Sequence, residues 1–341
     1  MPRRVLVTGG TGFVGANLVR RLVAGGHAVH VLVRPGHRGW RLRGVGARVL
    51  DASLTNAAAV EAVVRRARPE WVFHLAAYGA YSWETDLDRM VRTNVLGTMH
   101  LVRACLRRGV EAFVNTGSSS EYGFKSHPPT EQERLEPNSH YAVTKAAATL
   151  FCRHTAAREG VHLPTLRLYS VYGPWEEPGR LVPTLVARGL AHRLPPLVDP
   201  DVARDYVYVD DVTDAFVLAA SRALPEPGAV FNIGTGIQTS LRQVVDVARR
   251  VLAIDEEPAW GTMPNRSWDT TAWVADATRA RDALGWAPRF DFEAGFRATA
   301  DWMVAETSVA RRYRPADGAR VTLRRGRAAA RARGRRRRRD A

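Results

Sequence analysis

The 341-residue sequence predicts an α/β protein, a doubly wound parallel sheet carrying a smaller C-terminal lobe. Three observations predict it. Short apolar runs rich in β-branched residues alternate with amphipathic stretches through the first half of the chain. The first run passes straight into a glycine turn, Thr8-Gly9-Gly10-Thr11-Gly12-Phe13-Val14-Gly15. Beyond Gly173 the alternation stops, and Pro174, Pro178, Pro183, Pro195, Pro196 and Pro200 punctuate short segments.

Taken in order, Val5–Val7, Ala28–Val33, Arg48–Leu50, Trp71–Leu75, Ala112–Asn115 and Leu163–Leu168 read as strands, and Ala229–Ile233 as one more. Between them Gly15–Ala24, Ala57–Ala67, Thr93–Arg108 and Tyr141–Arg158 repeat apolar residues at helical spacing. Strand, helix, strand repeated in this way is the pattern of a parallel sheet covered on both faces. No internal repeat is visible.

Composition bounds the function classes. With 45% hydrophobic residues the chain can bury a large core. No apolar run approaches the roughly 20 residues of a membrane span, and the N-terminus lacks a signal-peptide pattern because Val5–Val7 runs into the glycine turn. Cys105 and Cys152 have no metal-ligand spacing and read as reduced, which fits a cytoplasmic protein that uses no metal. The net charge is +16, but from Arg320 onward eleven arginines face one acid, Asp340. That Arg-, Ala- and Gly-rich tail cannot bury enough apolar surface to fold alone and is expected to be disordered. No aromatic residue interleaves its arginines, so nucleic acid is not an expected partner.

The glycine turn carries the first chemistry. Gly9, Gly12 and Gly15 follow a strand and open a helix, the Rossmann-type arrangement that aims the N–H groups of Phe13, Val14 and Gly15 and a positive helix end at a pyrophosphate. A fold of this kind that prefers NAD carries an acid at the end of its second strand, on the ribose 2′-hydroxyl. Here Arg34 stands there, with His37 and Arg38 just after. A guanidinium suits a 2′-phosphate, which favours NADP, with NAD the alternative. Asp51, after the third strand, either accepts from the adenine amino group or ends a plain turn. Residues 1–173 are then the dinucleotide-binding part, with 205–235 returning to it; 174–204 and 236–315 form the substrate-binding lobe, and 318–341 the tail.

The second chemistry is Tyr141-Ala142-Val143-Thr144-Lys145. A phenol and an ammonium four residues apart share a helix face, where the ammonium is expected to lower the phenol's pKa. A dinucleotide and an activated tyrosine together mean reversible hydride and proton transfer at a carbon–oxygen bond.

With these motifs go His74-Leu75-Ala76-Ala77, Asn94-Val95-Leu96-Gly97-Thr98, Arg204-Asp205-Tyr206-Val207-Tyr208-Val209-Asp210-Asp211 and Phe231-Asn232-Ile233-Gly234-Thr235-Gly236. In that order, over about residues 3 to 300, the chain resembles the extended short-chain dehydrogenase/reductase family, the nucleotide-sugar epimerases, dehydratases and reductases. The resemblance implies that Tyr141 is the acid/base and that Lys145 holds the nicotinamide ribose. It implies that Ser118, four before the Tyr122-Gly123 pair, steadies the reacting oxygen, with Ser119 the fallback beside the substrate. Ala76 and Asn94 fall at the cofactor. Arg204 and Arg266 look like the family's diphosphate-binding arginines, and Tyr81 and Ser170 fall where relatives contact the sugar and its phosphate. The resemblance also implies a homodimer packed through Thr93–Arg108 and Tyr141–Arg158.

Two departures narrow the reaction. Sugar 4,6-dehydratases of the family carry an acid pair directly after the catalytic Thr, whereas here Ser119 and Ser120 stand there. Without those acids, water elimination lacks its proton carriers. Ser170 replaces the asparagine of many relatives. The expected function is an NADPH-dependent 4-ketoreductase of a nucleotide-linked 4-keto-6-deoxyhexose, with Ser118, Tyr141 and Lys145 as its triad. The alternative is a nucleotide-sugar epimerase with tightly bound NAD.

Overall fold

The computed structural model describes residues 1–37, 39–224, 226–265 and 270–314, so Arg38, Arg266 and the tail lie outside the described residues. In chain order the elements are β1 (Arg4–Thr8), α1 (Phe13–Ala24), β2 (Ala28–Val33), β3 (Arg48–Asp51), α2 (Ala57–Ala67), β4 (Trp71–His74), α3 (Leu87–Met90), α4 (Gly97–Arg108), β5 (Ala112–Ser118), α5 (His140–Glu159) and β6 (Thr165–Leu168). There follow β7 (Ser170–Tyr172), α6 (Leu181–Gly189), β8 (Ala203–Arg204), β9 (Tyr206–Tyr208), α7 (Val209–Ser221), β10 (Val230–Ile233), β11 (Thr239–Ser240), α8 (Leu241–Leu252), α9 (Thr278–Leu284) and α10 (Phe292–Ala305).

Seven of these strands form one sheet in the order β10-β6-β5-β4-β1-β2-β3, all parallel. This is the Rossmann-type doubly wound sheet that the alternation predicts. Its strands are apolar on both faces because helices cover both: Val5, Leu6, Val7, Val72, Phe73 and Val114 are fully buried. The connection leaving β1 and the one leaving β4 turn to opposite sides, which opens a crevice beyond Thr8 and His74, the place where such sheets bind ligands.

A second core lies outside the sheet. Val182, Leu185 and Val186 of α6, Leu241, Val244 and Val245 of α8 and Phe296 and Met303 of α10 pack with Tyr172, Trp175 and Tyr313. Residues 277–286, expected in this lobe, belong elsewhere: Ala277, Ala280, Leu284 and Trp286 pack into the sheet core with Phe216 and Phe231. The cause is local, since Trp286 donates its indole N–H to Asp211 O of α7 at 2.8 Å.

The helix expected over Thr93–Arg108 also differs. Residues Val91–Leu96 form a wider π turn before α4 begins at Gly97. Such an insertion marks functional positions in many helices, and here it carries Asn94.

Candidate functional site

The glycine turn has the shape of a dinucleotide cradle. A Cβ on Gly9 would meet Ala76 N at 2.5 Å, and one on Gly15 would meet Gly9 O at 2.3 Å, so β1, α1 and the β4 loop approach as closely as backbone can. A Cβ on Gly12 would meet only Gly9 O, at 3.2 Å, which leaves the front of the turn open. No side chain caps α1 and its first turn holds no acid. The N–H groups of Phe13, Val14 and Gly15 therefore face that opening with the positive end of the helix, and the residues fit a pyrophosphate.

Buried hydroxyls and one imidazole fix the neighbouring loop. His74 accepts or donates to Thr8 Oγ1 at 2.6 Å and to Thr98 Oγ1 at 2.8 Å. Burial, and then the Lys145 ammonium, push its pKa down to about 3, so it stays neutral. Ala76 N reaches Thr8 Oγ1 at 3.3 Å. Asn94, buried in the π turn, accepts from Tyr78 N and donates to Tyr78 O, both at 2.8 Å, and donates to Thr144 Oγ1 at 2.9 Å. Its amide positions the Ala76–Tyr78 loop against α5.

Ser118, Tyr141 and Lys145 come together at the carboxyl end of β5. Ser118 ends that strand, and α5 starts at an N-cap Ser139 whose side chain accepts from Ala142 N, so Tyr141 and Lys145 sit on its first turns. The Ser118 hydroxyl lies beside the Tyr141 phenol and pulls its pKa down. The expected lowering of that phenol is not found. Burial pushes it up to about 12, against the pull of Ser118. Lys145 instead donates to Thr116 O at 2.5 Å. Helical spacing places the ammonium on the phenol's face, but it donates its hydrogen bond to the Thr116 carbonyl of β5.

The other expected residues divide. Arg34 is exposed just past β2, in a turn closed by His37 N to Arg34 O at 3.1 Å, and Asp51 is exposed at the end of β3, paired in register with Val33. Tyr81 stacks on Trp83 with centroids 4.7 Å apart. Burial raises its phenol, with Glu177 adding to the effect. Ser119 is buried behind Ser118 and lines a small hollow with Tyr169 and Trp273. Ser170 donates its N–H to Asp205 O at 3.0 Å. Arg204 lies over the Trp273 ring at 5.6 Å and donates to Ala203 O at 2.7 Å and Thr270 O at 3.4 Å.

Sequence reasoning missed three groups. Asp205 is fully buried and accepts from Thr235 N and Oγ1, Gly236 N and Ala275 N at 2.6 to 3.0 Å, so it builds the turn beside Arg204. Asn17 of α1 donates to Phe13 O and, across the crevice, to Pro174 O at 2.9 Å. Arg41 donates to Trp175 O at 2.6 Å, to Glu177 at 2.9 Å and to Thr11 O at 3.5 Å. Its nearness to a strand end and the acidic Glu176-Glu177 pair are the only sequence signals for this clamp.

A family model described as the NAD dependent epimerase/dehydratase family matches residues 5–234. The chain is 33% identical over 316 residues to a UDP-glucose 4-epimerase of Mycolicibacterium smegmatis, covering 88% of this chain and 98% of the relative. It is 31% identical over 332 residues to a dTDP-glucose 4,6-dehydratase of Streptomyces griseus, covering 89% and 94%. Among solved structures, it superposes on a Thermus thermophilus UDP-glucose 4-epimerase in complex with NAD with a TM-score of 0.78, at 30% identity, covering 87% of this chain and 97% of that one.

Proposed function

Since this chain is an enzyme of the NAD-dependent epimerase/dehydratase family, we propose that it epimerises a nucleotide-diphosphate sugar at carbon 4, using a dinucleotide that stays bound. The observation that carries this reading is the clamp. Asn17 of α1 and Arg41 of the β2–β3 connection bolt residues 174–177 to those elements, and Arg41 also reaches Thr11 O of the glycine turn; these elements would hold the dinucleotide. A cofactor between bolted elements exchanges slowly, as a cycle that never releases it requires. The names of the relatives add support, two of the three being 4-epimerases.

The dinucleotide supplies a reversible hydride acceptor. Phe13, Val14 and Gly15 would hold its pyrophosphate, and Ala76 would line its path. Tyr141 takes the proton of the sugar hydroxyl and later returns it. Ser118 steadies the same oxygen, and Lys145 holds the ribose hydroxyls. Arg204, with Arg266, Tyr81, Ser119 and Ser170, would meet the nucleotide sugar. Water elimination finds no acid at the two positions that follow Ser118. Ser119 and Ser120 follow Ser118, and the next residue, Glu121, is wholly buried and engaged with Ser118 N, Thr149 and Arg167.

A second reading, an NADPH-dependent 4-ketoreductase, is favoured by Arg34, since no acid ends β2. One measurement separates the two: denature freshly purified protein and identify the released dinucleotide by mass spectrometry. Near-stoichiometric NAD supports the epimerase. Empty protein that takes up NADPH overturns it in favour of the reductase.

Two further outcomes are expected. Arg41→Ala, which removes charge-assisted bonds across the clamp, should speed dinucleotide loss roughly tenfold to a hundredfold in a chase experiment. An unchanged rate would remove the clamp argument. The homodimer is proposed on a patch of exposed apolar side chains. Val143 and Leu150, seven apart on α5, are 50% and 54% exposed, beside Leu96 and Val91 at 41% and 39%. Leu150→Glu should halve the mass measured by light scattering. A wild type that is already monomeric sinks the proposal.

A further inference from the structure

A carboxylate with no assigned task lies behind the reacting groups. Glu121 is fully buried in the short helical turn Ser119–Tyr122 that follows β5. One oxygen, Oε1, accepts from Ser118 N at 2.8 Å and from Thr149 Oγ1 at 3.0 Å. The other accepts from Arg167 Nε of β6 at 2.8 Å. Locally this is a capping box, in which the Ser118 hydroxyl accepts from Ser120 N while Glu121 reaches back to Ser118 N. Capping boxes ordinarily sit at the surface. This one is sealed in the core and joined to two other elements.

The joint to α5 matters most. Tyr141, Lys145 and Thr149 are spaced four apart, so they line one face of that helix. Thr149 is the third member of the row, and its hydroxyl holds the carboxylate that also holds the serine. A single side chain thus sets how far Ser118 stands from Tyr141. The arrangement is built around it: a Cβ on Gly117 would lie 2.8 Å from Glu121 Oε1, so the strand leaves room there.

The far side of the carboxylate is equally fixed. Arg167 also donates to Tyr122 Oη at 2.8 Å, and Tyr122 donates to Asn232 Oδ1 of β10 at 2.7 Å. Asn232 in turn donates to Pro129 O at 2.9 Å and to Asp276 O at 3.0 Å. The chain of bonds runs from one edge strand of the sheet to Ser118. Buried networks that are satisfied throughout hold their members rigidly.

On the reading of Ser118, Tyr141 and Lys145 as the reacting set, we infer that Glu121 is their positioning residue: its carboxylate ties the Ser118 backbone to the Tyr141 helix and keeps a negative charge behind both the phenol and the ammonium. The charge acts in one sense on both groups. Burial lowers the pKa of the Lys145 ammonium and Glu121, with Cys152, offsets part of that, while burial and then Glu121, Glu84 and Tyr81 favour the protonated Tyr141 phenol against the pull of Ser118. Arg167 compensates the carboxylate on its opposite side, so the charge stays where it is needed without standing alone.

The test uses wild type, Glu121→Gln and Thr149→Val, each carrying ¹³C at tyrosine Cζ, with the Tyr141 signal assigned by its loss in Tyr141→Phe. UDP-glucose serves as the turnover probe. In Glu121→Gln the phenol should begin to lose its proton at lower pH than in wild type. Turnover should drop on the order of a hundredfold, with its acid limb displaced to lower pH. A purely structural role would lower turnover and leave that limb in place. Thr149→Val keeps the charge but cuts the tie to α5, so the Tyr141 signal should move while its titration stays; this variant decides the matter if Glu121→Gln does not fold. A Tyr141 signal unchanged in position and titration in every folded variant overturns the inference, whatever turnover does. Failure of the functional reading looks different: the wild type would not act on the probe, or Tyr141→Phe would act on it equally well.

Discussion

Replacing Tyr141 with phenylalanine is expected to lower turnover by on the order of a hundredfold to ten-thousandfold, with dinucleotide binding and melting temperature little changed. The neighbouring Ser118 contacts Ser120 Oγ at 2.8 Å, so loss of the phenol leaves that hydroxyl with a partner. The ring remains to fill the space. The phenol is pushed up to about 12 by burial, so proton acceptance in the sugar-oxidising direction should accelerate as pH rises. Steady-state rates of both proteins across pH 6 to 10 check this. A variant within a few fold of wild type, or a wild type whose rate ignores pH, would remove Tyr141 from the chemistry.

The second large effect is on stability. Glu176 is buried, one of its carboxyl oxygens, Oε2, has no hydrogen-bond partner, and its nearest ion pair, Arg180, is 3.6 Å away. Burial pushes its pKa up from an ordinary 4.5 to about 8, against the pull of Arg180. The folded chain therefore keeps this proton while the unfolded chain gives it up. Below the unfolded value both states hold it and stability is full. Between about pH 5 and 8 only the folded state does, so stability falls as pH rises, by roughly 5 kcal/mol at most. Burial also raises Glu131, Asp205 and Asp210, so a residual slope remains. Glu176→Gln should be the more stable protein at pH 8 and lose much of the slope in chemical denaturation. Equal slopes in the two proteins would be fatal to the argument.

The sheet and the grouping of Ser118, Tyr141 and Lys145 were legible in the sequence because their signals are local. Apolar runs mark β1 to β6 within a residue or two at most ends, the glycine turn follows a strand directly, and Tyr141 and Lys145 declare a shared face by spacing alone. What was not legible depends on distant partners. Arg34 draws attention by standing at a strand end, yet it is Arg41, seven residues on, that is buried, by a carbonyl 134 positions away in Trp175. Asn94 lies in a recognisable motif, but only the π turn reveals that its amide is engaged with Tyr78 and Thr144. The phenol was misjudged for the same reason: helical spacing says nothing of the Thr116 carbonyl that draws Lys145 aside. Glu121 is invisible as a tie because two of its three partners, Thr149 and Arg167, come from elements 28 and 46 residues away.

The clamp also carries its own optical label. Trp175, whose carbonyl Arg41 holds, has its indole beneath the Arg20 guanidinium at 3.9 Å and beside Trp40 and Trp302, with ring centroids 5.8 and 5.2 Å away. Rings so close to one another exchange excitation, which depolarises their emission, so the anisotropy of this group depends on whether the two sides of the crevice are together. Opening it to let a dinucleotide pass would raise the anisotropy of the tryptophan emission of the unlabelled protein, and the time course of that signal would report the opening of the clamp.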